Sequence, residues 1–480
     1  MNRTKIMKRI IYFKVLIFTL ICLCSSSCKR EKNEGLNSFN KEIIPTSYST
    51  SHIVAKQKKL TNDWWKDFKN EALNKIIEKS LKNNFTIKSA YNRLNQSKAI
   101  AKVGGSTRYP HVNGSLTGSR VDTKIKGFPS TNTNQFSVGL SVSYEIDFLG
   151  RQKNQVEALD YDVLSTKEDI SIAMISIASQ ITSTWYQLYE LHKHLIILSE
   201  QLKLKKKDSA FVKTQFKNGQ IPINTLWQKQ QVVLLGSDEL LKIKSNISLL
   251  ENSMSVLTGR APGSYHFKFV DGPHFLPLLP KIGIPLDLIQ SRPDIRKAYF
   301  NLLAADKRIG VAIKDRFPKL SLSASGDSSE EKVSKLFQNW ISSLAGNLLA
   351  PLIDGGRRKA QVIKEKASYR LLLNQYGDTV INAIREVEDA MILERSKTLL
   401  HKSILTQVEL AKKMSLIARN KHLSNQINLT AYYLAKINYS DSMRRLWVSQ
   451  RESIEIRINL YKALASTWSS SSTNKLKKEK

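Results

Sequence analysis

Cysteine is nearly absent from this 480-residue chain: its three, Cys22, Cys24 and Cys28, all fall in the first 28 residues. Everything after them is barred from disulfides, thiolate metal sites and cysteine nucleophiles. Proline is missing after Pro351, and between Arg151 and Asn218 there is neither proline nor glycine. The chain also lacks the run of about 20 apolar residues that a spanning helix needs. Histidine is sparse, eight residues, and the close pair His192 and His194 lies two apart, which does not share a helical face. "DGG" at Asp354 and "GRAPG" at Gly259 are turn chemistry, not phosphate-binding loops. No catalytic constellation or metal-ligand set emerges, and the expectation is a protein that is not an enzyme and holds no cofactor. Acidic residues are the last scarcity: 41 Asp+Glu face 75 Lys+Arg, a net charge of +34. That excess suits a nucleic acid or an anionic membrane, but the lysines are scattered along helical stretches and form no basic cluster interleaved with aromatics, which argues against nucleic acid.

What is present begins with a targeting segment. Arg3, Lys5, Lys8, Arg9 and Lys14 precede the short apolar run Val15–Leu23 and then "CSSSC", the pattern of a signal peptide over residues 1–27. Ser26 and Ser27 before Cys28 suit a lipoprotein signal peptidase, so Cys28 is the expected lipid-attachment residue. Lys29 follows it in place of the aspartate that retains many bacterial lipoproteins at the inner membrane, which favours an outer-membrane address. Residues 28–60 are polar and read as a tether, and 469–480 as a basic polar tail.

Helical periodicity fills Arg151 to Asn218, with Ile170, Met174, Ile177, Ile181, Trp185 and Leu188 on one face. Such a run makes a rod of roughly 100 Å at about 1.5 Å per residue. A second runs from Arg357 towards His422, interrupted by Gly377, and a third from about Ile427 to Trp468. Between them the period changes to two. In "QFSVGLSVSY", Gln135 to Tyr144, apolar Phe136, Val138, Leu140, Val142 and Tyr144 alternate with serine and glycine. That fits a tilted membrane strand or a sandwich strand. The expected strands lie near 112–121, 135–144, 319–326 and 340–349, with polar loops at Asp122–Thr133 and after Gly326.

The pattern occurs twice. "RYPHVNGSLTGSR" at Arg108 is answered by "RFPKLSLSASGD" at Arg316, 208 residues later, and Asp147, Gly150 and Arg151 by Asp354, Gly356 and Arg357. The turns "FKNGQIPINTL" and "HLSNQINLTAY" place Gly219 and Asn425, the residues that best tolerate a left-handed backbone, 206 positions apart. Each repeat reads as strand pair, long helix, turn, long helix, over 61–279 and 280–468.

"IPLDLIQSRPDIRKA" from Ile284, "YEIDFLGR", "LTGRAPG" from Leu257, "PLIDGGRRKAQV" from Pro351, "NLYKALASTW" from Asn459 and "NDWWKDFKNEALNKIIEKSL" from Asn62 resemble, in order and over nearly the whole mature chain, the TolC-like, lipoprotein-anchored outer-membrane efflux proteins. The resemblance implies a mainly α fold with a membrane β-barrel part: a homotrimer in which each chain gives four strands to a shared 12-stranded barrel and the long helices form a periplasmic tube. Shorter helices around 60–80, 220–300 and the C-terminal part would form a belt about its middle. It implies a passive exit duct for drugs, metals or other small solutes, working with a periplasmic adaptor and an inner-membrane pump of the resistance–nodulation–division type. The turns at Gly219 and Asn425 would be the aperture and adaptor-docking rim. Many relatives carry aspartates six and nine residues after the turn glycine; here those positions are Thr225 and Gln228, and Ala431 and Leu434. Tyr432, Tyr433, Lys229 and Lys436 are the candidates for closure in place of an acidic ring. The alternative is a non-transporting coiled-coil envelope lipoprotein, against which the period-two strands count.

Overall fold

The computed structural model describes residues 45, 47–49, 63–270, 276–280 and 285–464. The signal segment, Cys28, most of the tether and the basic tail lie outside them. Of the described helices, none is long and apolar enough to cross a membrane.

The first repeat contains α1 (Glu71–Asn83), α2 (Phe85–Ser106), β1 (His111–Thr123), β2 (Thr131–Ile146), α3 (Arg151–Lys217) and α4 (Ile223–Leu257). The second contains α5 (Pro285–Ser291), α6 (Pro293–Lys314), β3 (Lys319–Glu330), β4 (Ile341–Leu349), α7 (Arg357–Leu423) and α8 (Leu429–Leu464). The uninterrupted rods α3 and α7 each hold 67 residues. Gly377 does not break α7; it is buried inside it beside Tyr376, where packing outweighs the modest helix cost of glycine.

Both rods start alike. Gly150 (φ 71°) and Gly356 (φ 83°) turn the chain through a left-handed conformation. Asp147 then accepts hydrogen bonds from the Gln152 and Lys153 amides at 3.1 and 2.8 Å, and Asp354 from the Gly356 and Arg358 amides at 3.2 and 3.3 Å. An acceptor of negative charge at a helix N-terminus satisfies amides that have no intrahelical partner. This is why the motifs "YEIDFLGR" and "PLIDGGRR" stand where strand passes to helix.

The strands form one antiparallel sheet in the order β1-β2-β3-β4. Pro110 and Pro318 stand immediately before β1 and β3, where a missing amide costs nothing. Ser141 faces Asn113 and Ser325 across the ladder, and Val142 faces Val112 and Ala324. One face therefore carries serine, threonine and asparagine and the other Val112, Leu116, Leu140, Leu322, Leu344 and Leu348. The strands outrun the sequence expectation at the far end. β1 and β2 continue to Thr123 and from Thr131, and β3 to Glu330. Backbone pairing carries the ladder through polar residues that an apolar pattern does not mark.

The helices repeat this open arrangement. Next to the sheet they lie side by side in the order α2-α3-α6-α7, and at the far end α4-α3-α8-α7. Ion pairs from α3 mark the change of neighbour: Asp162 and Asp169 reach Arg308 and Lys297 of α6, whereas Asp208 reaches Lys229 of α4. Residues 223–257, expected within a belt of shorter helices, form instead the second arm of the first hairpin, and its last turns alone join the belt core.

That core joins Trp64, Trp65, Phe68, α1, the middle of α3 and the end of α8. Trp64 stacks on Tyr461 at 5.3 Å, and the Tyr461 hydroxyl donates to Asp67 at 3.1 Å. The segment after α4 is clamped by Gly259 (φ 75°), where an added Cβ would sit 2.7 Å from the Asn83 carbonyl oxygen. Arg292, from "SRPDIR", is buried at the junction of the repeats. It pairs with Asp294 at 2.6 Å and Glu386 at 2.9 Å and donates to the Ala463 carbonyl at 3.0 Å.

Candidate functional site: barrel wall and distal turns

The sheet has the two surfaces that a wall between lipid and water requires. Leu116 and Leu344 are about four-fifths exposed on the apolar side. The other side is lined by short hydroxyls, with Ser325 and Ser343 2.9 Å apart and Gln135 donating to Ser329 at 3.0 Å. The four strands carry only Arg120 and Lys319 against Asp122, Glu145, Asp327 and Glu330. No basic wall exists at this level. Strands of 9 to 16 residues match the length of a tilted membrane strand.

At the opposite end of the rods lie the two turns. Gly219 has φ 72° and Asn425 φ 59°, the left-handed conformation that the sequence pattern requires of them. Each closes its helix by the same pair of bonds. The Gly219 amide donates to Phe216 and the Gln220 amide to Gln215, at 2.9 and 3.0 Å. In the second turn Asn425 donates to His422 and Gln426 to Lys421, at 3.0 and 2.8 Å. Orphan carbonyls are thereby satisfied in a Schellman arrangement.

The side chains that follow differ between the turns. In the first, the Thr225 amide donates to the Asn224 side chain at 2.8 Å, while Trp227 and Gln228 are exposed. In the second, Asn428 caps α8 by accepting from the Ala431 amide at 2.8 Å. Tyr432 stacks flat on His422, centroids 5.7 Å apart, and contacts Tyr433 at 5.6 Å. Ala431 and Leu434 are exposed. The structure thus brings Tyr432 and Tyr433 together, and no hydrogen bond or ion pair among the described residues joins Thr225, Gln228, Ala431 and Leu434 to one another.

Lys229 is committed elsewhere than expected. It pairs with Asp208 at 2.7 Å, and the other carboxylate oxygen of Asp208 accepts from the Thr430 hydroxyl at 2.7 Å. Asp208, 8% exposed, thus binds α4 within its own hairpin and α8 of the second hairpin. Sequence reading missed Asp208 and Thr430. The available signal was register: Asp208 lies 11 residues before Gly219 and Lys229 ten after, which antiparallel helices place opposite each other.

Further bridges between α3 and α8 climb towards the belt. Gln201 donates to Asp441 at 2.9 Å and Arg451 pairs with Glu190 at 2.7 Å, while Arg444 of α8 reaches Glu239 of α4 at 2.7 Å. Burial pushes the Glu190 carboxyl up and the His194 imidazole down from their ordinary values. His192 and His194 face different surroundings: His192 stacks on Phe269 and His194 meets the Arg444 carbonyl.

Comparison with known proteins agrees with this geometry. A family model described as "Outer membrane efflux protein" matches residues 76–260 and 284–398. The "Cation efflux system protein CusC" of Escherichia coli O6:H1 is 25% identical over 438 residues, covering 88% of this chain and 93% of that protein. The "Pyoverdine export outer membrane protein OpmQ" of Pseudomonas aeruginosa is 24% identical, covering 85% and 88%. The solved Campylobacter jejuni CmeC outer membrane channel superposes with a TM-score of 0.79 at 22% identity, covering 89% of this chain and 93% of that one. With two-faced strands at one end, paired rods beyond them and the family match across both repeats, the chain belongs to the outer membrane efflux proteins and is an exit duct of the cell outer membrane.

Proposed function

We propose that three copies of the chain close into one conduit and that its distal turns receive a periplasmic adaptor, through which an inner-membrane pump of the resistance–nodulation–division type delivers small solutes. The observation that carries the reading is that, among the described residues, every level of the chain ends in an unpaired edge. The sheet leaves β1 and β4 without an outer neighbour, and the helical layers leave α2, α4 and α7 at their margins. An open sheet edge in hydrocarbon exposes unbonded amides and carbonyls at several kcal/mol each, so only closure with other copies is tolerable. The helix edges are apolar in complementary places: Leu234, Leu235, Leu241 and Leu249 on α4, and Leu399, Leu410, Met414 and Ile417 on α7, are all at least half exposed. Three four-stranded sheets make a 12-stranded barrel.

The resemblance to export proteins supports the pump and adaptor, and "CSSSC" supports a lipid on Cys28. The test is the migration of the membrane fraction before and after boiling, joined to a susceptibility panel of antibiotics and metal salts on a deletion strain. A heat-sensitive trimer and a sensitised strain are expected. A soluble monomer with unchanged susceptibility refutes the duct in favour of a structural coiled-coil lipoprotein.

A further inference from the structure

Basic residues occur along the whole of the rods, but their excess over acidic residues is greatest at the distal end. Residues 200–236 and 402–436, which comprise both turns and the last turns of their helices, hold thirteen Lys and Arg but three acids. The whole chain has fewer than two basic residues for each acid, 75 against 41. Each of the three distal acids is already neutralised within the chain: Glu200 by Lys203 at 2.7 Å, Asp208 by Lys229 at 2.7 Å and Glu409 by Lys413 at 3.0 Å. Ten cations remain that pair with no carboxylate among the described residues, among them Lys206, Lys207, Lys412 and Arg419, all exposed. Their field is felt locally. The Glu200 carboxyl is held below its ordinary value by its bond to Lys203, with Lys436 and Lys207 adding to the effect.

We propose that the distal mouth of the duct is anion-selective and admits solutes bearing carboxylate, sulfate or phosphate groups while repelling multivalent cations. The inference rests on the duct reading and adds a cargo class to it. Three chains place about thirty uncompensated positive charges around the site where six helical hairpins converge. At physiological ionic strength each acts over about 8 Å, so a narrow mouth lies within reach of many of them at once. Clefts lined by one sign of charge focus the field and concentrate counter-ions. The barrel cannot supply the selection, since its strands carry more acids than bases.

The experiment uses the full-length purified protein in planar bilayers, with reversal potentials read in a potassium chloride gradient. The expected result is a chloride-to-potassium permeability ratio above about 3, little inhibition by hexaamminecobalt(III) at the distal side, and block there by hexacyanoferrate(II). The variant Lys207→Glu/Lys412→Glu/Arg419→Glu alters exposed side chains that take no part in the Asp208 contacts. It is expected to lower the ratio below 1 while its trimer dissociates at the wild-type temperature. A potassium-selective or unselective wild type, or a charge-reversed variant with the wild-type ratio, overturns the proposal. A wild type that carries no current, in a strain whose susceptibility is unchanged by deletion, overturns the duct reading beneath it.

Discussion

Asp208 allows closure of the distal end to be separated from stability of a single hairpin. Its two carboxylate oxygens serve different partners: Lys229 lies on the other arm of the same hairpin, whereas Thr430 lies on the second hairpin. If the duct opens by parting its hairpins, Thr430→Val removes the bond that must break and Lys229→Gln does not. A hydrogen bond to a charged acceptor contributes about 1.5–3 kcal/mol. The lower end applies here, because the site meets solvent through Lys229, whose side chain is 28% exposed. About 1.5 kcal/mol per chain corresponds to a tenfold shift in the ratio of closed to open hairpins. Asp208→Ala loses both contacts and should open the channel at least as far as Thr430→Val. Lys229→Gln, which removes an ion pair that meets solvent through Lys229 and contributes about 1 kcal/mol or less, should leave conductance near the wild-type value. Single-channel recording of the reconstituted protein measures the open fraction directly. Wild-type conductance in Thr430→Val, or opening by Lys229→Gln equal to that by Asp208→Ala, refutes the separation of roles.

Four other perturbations test the fold beneath the duct. Glu394→Ala leaves the buried guanidinium of Arg457 without its carboxylate, 2.5 Å away; thermal unfolding should show a loss of about 3–5 kcal/mol, and a loss below 1 kcal/mol contradicts the pairing. Gly259→Ala forces a Cβ against the Asn83 carbonyl at positive φ and should cost about 1–3 kcal/mol, whereas Gly263→Ala, also at positive φ but with open space around it, should cost less. Leu344→Arg, on the apolar face of β4, should reduce membrane assembly through a penalty of about 2–4 kcal/mol near mid-bilayer, while Ser343→Arg on the hydroxyl face should assemble and lower conductance. His194 is held below its ordinary value of 6.5 by burial, so in the window below 6.5 the unfolded chain binds the proton that the folded chain refuses. Stability must then fall as pH drops through that window, and His194→Gln should flatten the slope in denaturation from pH 7 to 5.5; an unchanged slope assigns it to other groups.

The architecture was legible because it depends on period and punctuation, which a single chain records. The absence of glycine and proline from 151 to 218 leaves the backbone no place to break, and α3 runs through it whole. Gly219 and Asn425 stood out because few residues tolerate a left-handed turn, and both adopt one. Strand ends were less legible, because outside the apolar band the ladder is held by backbone bonds that serine, threonine and glutamate support as well as valine does. The core contacts of Arg292 were hidden for another reason: their partners Glu386 and Ala463 lie 94 and 171 residues away, and no local pattern encodes such a distance.

The distal site shows where the duplicated pattern stops being informative. Both turns close with the same two backbone bonds, because a rod must end and its carbonyls must be satisfied whatever the side chains are. Beyond those bonds the halves diverge: the first turn leaves Trp227 exposed, and the second stacks His422 on Tyr432. Repetition therefore fixes where the hairpins end, and the bond that joins them is asymmetric, made by an aspartate of the first repeat and a threonine of the second. Position 414, which lies 206 residues after Asp208, holds Met414, two-thirds exposed on the α7 margin. In a ring of three chains, contacts within a protomer and contacts between protomers are then chemically different: a carboxylate bridge inside each chain alternates with apolar α4 and α7 margins between chains. Six hairpins that alternate in this way have three equivalent seams of each kind. Loosening the polar seam at Thr430 should part hairpins inside each protomer while the apolar seams keep the trimer together, so an opened Thr430→Val channel should still migrate as a heat-sensitive trimer.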